Sequence, residues 1–259
     1  KISMGGQTFD DCIELTNEEY KITLDNIIEN VHNQAKLQNT TFEENIDYLL
    51  PYRLGNKQNY HDIDFIVRDA DKFIGLLNNI KEVKVIPLFR EKYKSLNLYS
   101  KHLLTNENLQ IDLLVSWNEK TLEITRIYFS YSIANIFFKK FTTIVNRNLK
   151  FSYLGLFCSS GKFNIPNDIS YVQIISTERI ITCPEYIFNL FDLDYEKYKQ
   201  GFNDEFELLN YFKQSKFYDK VVFRMNSKFK HDYNRLESFK NIVNSQSINV
   251  VGFNIDEPQ

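Results

Sequence analysis

Cysteine is scarce. The three residues, Cys12, Cys158 and Cys183, lie far apart and match no zinc-ligand spacing, which excludes a disulfide scaffold and a structural zinc site. Reduced, cytosolic-type chemistry is the expectation. No apolar run reaches membrane-spanning length and no signal peptide opens the chain, so a cytoplasmic protein without a membrane partner is expected. Glycine and alanine are few beside abundant asparagine, lysine, isoleucine, tyrosine and phenylalanine, a bias that fits an AT-rich genome rather than a function. Acid is missing where it matters most. From Ile124 to Asn167 there are six bases (Arg126, Lys139, Lys140, Arg147, Lys150 and Lys162) and no carboxylate, although the whole chain carries a formal charge of -3. By contrast, residues 1–50 hold ten acids and three bases. The acid-free stretch is a local positive field, and a polyanion is its natural partner.

With 259 residues the chain can bury a sizeable core in one large domain or two small ones. Residues 1–15 read as weakly ordered. Apolar spacing predicts a helix over Glu18–Leu37, with Ile22, Ile27, Ile28, Val31 and Ala35 on one period, and another over Asp71–Ile80. Strands are predicted over Ile46–Leu54, Asp62–Val67, Glu82–Phe89, Ser95–Ser100 and Leu109–Trp117. A basic helix follows over Ile133–Asn148, then strands over Phe151–Phe157 and Ser170–Ser176. Thr182-Cys-Pro-Glu185 reads as a capping box opening an apolar helix, and helices are expected over Phe202–Phe217 and Lys228–Val243. This order points to an α/β protein with a mixed sheet, followed by a smaller α/β subdomain and a helical C-terminal extension.

Against that frame stand three acids on two apolar segments: Asp62 and Asp64 in His-Asp-Ile-Asp-Phe-Ile-Val, and Asp112 in Leu-Gln-Ile-Asp-Leu-Leu-Val. Side chains two apart on a strand share a face, so Asp62 and Asp64 stand together while Ile63 and Phe65 face the core. Two acids held side by side repel, and a hard cation between them relieves the repulsion, which points to magnesium. Asp112 on an adjacent strand completes a three-carboxylate site for two ions, nearest the attacking oxygen of a phosphoryl transfer. Upstream, Leu-Gly-Asn-Lys offers Gly55, whose backbone N–H groups can approach phosphate, with Asn56 and Lys57 adding a hydrogen bond and a charge. His61 beside the acids reads equally as a site residue or a solvated loop histidine.

The glycine loop, Asp-x-Asp and later third Asp resemble the nucleotidyltransferase superfamily. Over about residues 45–200 the chain resembles more closely the family X DNA polymerases, the group of DNA polymerase beta and small viral repair polymerases. Ile127-Tyr-Phe-Ser-Tyr-Ser132 is similar to the Tyr-Phe-Thr-Gly-Ser segment where that family's palm meets its nucleotide-selecting subdomain. Phe138-Lys-Lys-Phe-Thr-Thr-Ile-Val-Asn-Arg147 resembles the next helix, and Leu149-Lys-Phe-Ser-Tyr-Leu-Gly-Leu-Phe157 a following strand. Ile181-Thr-Cys-Pro-Glu-Tyr-Ile-Phe-Asn-Leu-Phe-Asp-Leu-Asp-Tyr195 is similar to the family's closing signature.

The resemblance implies a nucleotidyltransferase palm over residues 45–122 after an N-terminal helical segment (1–44), a nucleotide-selecting subdomain over 123–200, and a basic extension over 201–259. It implies that Asp62 and Asp64 bind two magnesium ions, with manganese as a substitute, and that Asp112 activates a primer 3' hydroxyl. Gly55, Asn56 and Lys57 would hold a nucleoside triphosphate, Tyr128 and Phe129 would lie under its sugar and base, and Lys139, Lys140, Arg147 and Lys150 would meet a DNA primer–template, with RNA as the alternative polymer. The activity implied is a DNA-directed DNA polymerase in gap repair, at a viral replication site in the cytoplasm. Two other readings stay open: an untemplated terminal or poly(A)-type transferase, and an inactive nucleic-acid-binding or processivity subunit. The sequence departs from the family pattern at Asn56, where the family has serine, and at Tyr131-Ser132, where it has Gly-Ser. The tail cluster Lys213, Lys216, Lys220, Arg224, Lys228, Lys230 and Arg235 reads either as a nucleic-acid clamp or as one face of an amphipathic layer on the core. Nothing in the sequence specifies a protein partner.

Overall fold

The computed structural model describes residues 8–87, 94–116 and 118–228. The predicted helix over Lys228–Val243 lies outside them beyond its first residue, as do Lys230 and Arg235. The fold is mixed α/β, and its described residues divide into two compact units, 8–51 with 57–126 and 52–56 with 127–228. Among the described residues no helix is long and apolar enough to cross a membrane.

The first unit opens with β1 (Leu15–Thr16) and α1 (Asn17–Leu37). Thr16 caps the helix, its hydroxyl accepting from the Glu19 N–H while the Glu19 carboxylate returns to the Thr16 N–H. Tyr20, Thr23, Ile27, Val31 and Ala35 recur at helical spacing and are buried, whereas Ile22, expected on that face, is exposed. Then come β2 (Tyr48–Leu49), β3 (Asn59–Tyr60), β4 (Ile63–Val67), α2 (Ala70–Gly75), β5 (Ile80–Pro87), β6 (Lys94–Lys101) and β7 (Asn108–Val115). Five strands form one mixed sheet in the order β2-β4-β7-β6-β5, parallel only at β4–β7, while β1 and β3 pair separately.

Three expectations change here. The strand over Ile46–Leu54 contracts to β2, because Pro51 has no N–H for a ladder. The helix over Asp71–Ile80 stops at Gly75, and Leu76 and Leu77 turn into the core before Ile80 opens β5. The leading segment is tied down from residue 8: Phe9, Cys12 and Leu15 are buried.

The chain enters the second unit within α3 (Leu122–Phe129) and continues through α4 (Ser132–Val145), β8 (Leu149–Ser152), β9 (Gly155–Ser159), β10 (Tyr171–Ile175), β11 (Glu178–Ile181), α5 (Pro184–Leu190), α6 (Tyr195–Lys199), α7 (Glu205–Lys213) and α8 (Tyr218–Lys228). Its sheet is antiparallel throughout, in the order β10-β11-β9-β8. The strand expected over Phe151–Phe157 is a tight hairpin, turned at Tyr153–Leu154 into Gly155, whose φ of +137° suits glycine alone. Cys183, not Thr182, caps α5, without a side-chain bond. The Thr182 hydroxyl instead donates to the Ser170 carbonyl, while Pro184 opens the helix as expected.

Phe202–Phe217 holds a shorter helix, because Asp204 caps α7 through the Glu207 N–H. Part of the basic extension thereby joins this unit's interior: Leu208, Leu209, Phe212 and Val221 are fully buried, and Phe137 of α4 stacks on Phe212 at 4.5 Å between ring centres.

Candidate metal centre

Because β4 and β7 are parallel neighbours, Ile63 lies opposite Ile111, Asp64 opposite Asp112 and Phe65 opposite Leu113. Alternation then decides which face each side chain takes. Ile63, Phe65, Ile111 and Leu113 enter the core, and the acids emerge on the other side. Asp62 sits one residue before β4 and keeps the phase of Asp64. One ligand oxygen from each of Asp62, Asp64 and Asp112 lies within 4.8 Å of the other two, and all three residues are partly exposed.

Such proximity is costly without a counter-charge. Burial, and then the charges of Asp64 and Asp62, push the Asp112 carboxyl well above the ordinary carboxylate range. Hydrogen bonds from Asn97 and Gln110 pull the other way. The donor set is hard oxygen, close enough to converge on one point and partly open to further ligands, so the cluster could hold a metal ion.

Asn97 and Gln110 had not been singled out from the sequence. Asn97 lies opposite Asp112 across the β6–β7 ladder, and its Nδ2 donates to Asp112 Oδ1 at 2.7 Å. Gln110 Nε2 donates to Oδ1 at 3.0 Å and to Oδ2 at 3.2 Å. A signal existed for Gln110, two residues before Asp112 and so on its face of the strand. None existed for Asn97, which depends on a long-range register.

The glycine loop has a different local setting from the one expected. Gly55 and Asn56 belong to the second unit, where their N–H groups donate to the carbonyls of Phe202 at 3.0 Å and Asn203 at 2.7 Å. A Cβ on Gly55 would come within 2.6 Å of Asn203 Oδ1 and 3.3 Å of its Cα. Close approach of two backbones therefore accounts for this glycine, and the two donors expected to cradle phosphate are engaged by carbonyls. Lys57 lies in the first unit with its ammonium 4.4 Å from the Tyr60 ring centre. His61 is exposed, 3.9 Å from the Glu14 carboxylate.

Within the second unit, Tyr128 and Phe129 are partly exposed and meet edge to face at 5.1 Å. The Lys139 ammonium stands 5.5 Å from the Tyr128 ring centre, which brings two of the expected polymer and nucleotide contacts together. Lys140 is partly exposed, and Arg147 and Lys150 are exposed. Tyr131 is buried, has φ +40° and precedes the first turn of α4. Its ring stacks 6.3 Å from Tyr52 and meets Phe202 edge on at 5.6 Å. Comparison with protein-family models and with curated proteins finds no match to this chain.

Proposed function

We propose that the protein transfers a deoxynucleotide from its triphosphate to the 3' hydroxyl of a DNA primer, in the manner of the family X polymerases it resembles. One observation carries this reading: one carboxylate oxygen from each of Asp62, Asp64 and Asp112 lies within 4.8 Å of the other two, Asp64 and Asp112 on adjacent parallel strands and Asp62 just before the first. Asp62 and Asp64 are the residues to hold two magnesium ions, with Asp112 sharing one of them. Bound there, the ions supply charge for the triphosphate and the departing pyrophosphate and lower the pKa of the hydroxyl.

Asp112 then acts as the base. It takes the proton of the 3' hydroxyl as that oxygen bonds to the α-phosphorus and the bond to pyrophosphate breaks. Asp64 and Asp112 sit opposite each other on two hydrogen-bonded strands with Asp62 just before the first, and such fixed placement favours that transition state. Tyr128 and Phe129 are assigned to the incoming nucleotide, and Lys139, Lys140, Arg147 and Lys150 to the polymer backbone, with Lys57 the remaining cation of the Gly55–Lys57 loop to meet the triphosphate.

Incorporation assays with a labelled primer, with and without template, each ordinary deoxy- and ribonucleotide and magnesium test the reading. Template-directed extension is the expected result. Equal extension without template would replace it by terminal transfer, and no incorporation with any nucleotide would leave a nucleic-acid-binding subunit.

A further inference from the structure

Asp112 is gripped by two neutral amides, and one of these is gripped in turn by backbone from the start of the described chain. Gln110 is fully buried, and while its Nε2 donates to both oxygens of Asp112, its Oε1 accepts the N–H groups of Thr8 at 2.8 Å and Phe9 at 3.2 Å. A main-chain N–H can only donate, so these two bonds settle which end of the amide faces the carboxylate. Asn97, also buried, adds a third donor.

An aspartate has a broad, roughly two-fold terminal torsion, and bonds to both oxygens remove that freedom. Oδ1 carries two amide donors at 2.7 and 3.0 Å, whereas Oδ2 carries one at 3.2 Å. Oδ2 therefore keeps the larger share of open lone-pair capacity. Because the donors are neutral, they orient the acid without cancelling the negative charge that a divalent cation needs, as a lysine or arginine in their place would.

We propose that Asn97 and Gln110 are positioning residues that aim Asp112, and that the Thr8–Phe9 backbone sets the direction of Gln110. The aimed group's part in the reaction rests on the nucleotidyl-transfer reading; its part in ion binding does not. The full chain is compared with Gln110→Met, which keeps the volume and deletes every amide bond, and with Thr8→Pro, which deletes one N–H bond to Gln110 and leaves Gln110 in place. Three quantities are read: kcat and KM for the nucleotide, the manganese dissociation constant by electron paramagnetic resonance, and Tm.

Gln110→Met is expected to lower kcat and manganese affinity by about 10- to 100-fold with KM unchanged, the range typical for groups that orient metal ligands. Thr8→Pro is expected to move both in the same direction by less, and it decides the matter if Gln110→Met does not fold. A fall in Tm with kcat and manganese affinity per folded molecule unaltered would reduce these residues to structural ones and overturn the proposal. Manganese binding weakened by Gln110→Met in a protein that incorporates no nucleotide would keep the clamp and remove the polymerase reading. Normal incorporation in both variants with normal manganese affinity would remove the clamp alone.

Discussion

The two sheets use side chains in opposite ways. In the first unit, β4 and β7 alternate strictly enough that Ile63, Phe65, Ile111 and Leu113 are sealed in the core while Asp64 and Asp112 face each other on the other side. In the second unit β10 buries none of its five residues, and the interior is filled mainly by rings from helices: Phe137, Phe138 and Phe141 of α4, Phe188 of α5 and Phe212 of α7. A hydrogen-bonded register fixes distances between groups on neighbouring strands, so it can hold charges at chosen separations. Ring packing excludes water over a large area and adds favourable edge and face contacts, so it stores stability. Reaction rate and folding stability should therefore respond to different parts of this molecule.

The sharpest way to break that comparison is a crossed pair of substitutions. On the proposed nucleotidyl-transfer reading, Asp112→Asn is expected to cut incorporation by about 10²- to 10⁴-fold, the range for losing a general base, with nucleic-acid affinity and Tm little changed. Phe138→Ala is expected to do the reverse. Its ring meets Phe188 at 5.0 Å and Phe151 at 5.1 Å, so truncation should cost about 3–5 kcal/mol of stability while kcat per folded molecule holds. Urea denaturation and single-turnover kinetics on the same samples check both. A large kinetic loss in Phe138→Ala at full folding would dissolve the division of labour.

How much of this was legible in advance follows from the same physics. Period-2 alternation exposes a half-buried strand carrying charge, so the carboxylate segments and most of the first sheet could be read from the residues. The helix over Asn17–Leu37 was legible from its apolar period, although its Thr16–Glu19 capping box was not read from the sequence. The turn inside Leu149–Ser159 was not, since a largely apolar, aromatic-rich segment whose one glycine, Gly155, lies mid-run looks like one strand. Nor was the setting of Gly55, which depends on Phe202 and Asn203 nearly 150 positions away in sequence. Asn97 was hidden for the same reason, because antiparallel register between β6 and β7 is decided by the turn and the whole ladder rather than by the residue itself.

A finer test separates conformational need from close approach inside the second sheet region. Gly155 and Gly161 both have positive φ, +137° and +78°. A Cβ on Gly155 would overlap the Ile181 carbonyl oxygen on β11, whereas one on Gly161 would meet nothing within 4 Å. Gly161→Ala should therefore cost about 1 kcal/mol, the price of a left-handed alanine, and Gly155→Ala about 2–4 kcal/mol, because backbone must also move. Equal losses in chemical denaturation would mean that the β9–β11 ladder yields more easily than its register suggests.

The smallest expected effect sits in the first unit and is read through pH. His102 is buried at the end of β6, in the turn that leads to β7, and burial lowers its pKa. The Thr23 hydroxyl donates to the Glu19 carbonyl at 2.6 Å, so His102 Nε2, 2.8 Å away, is the donor in that contact and carries the proton. Nδ1 is then the acceptor for the N–H groups of Leu104 at 3.1 Å and Thr105 at 3.2 Å. Protonating Nδ1 would leave both facing another donor. A base with a lowered folded-state pKa contributes stability that is present above its unfolded pKa and is lost as pH falls through the folded one. As pH falls below the ordinary histidine range the protein should lose stability through this group, read as a fall in Tm. His102→Asn offers the same turn an acceptor that does not titrate, so the gap between variant and parent should close or reverse toward the acid end. Parallel Tm curves for the two proteins would show that the β6–β7 turn does not depend on the imidazole, and would place the register that sets Asn97 against Asp112 in the strand ladder alone.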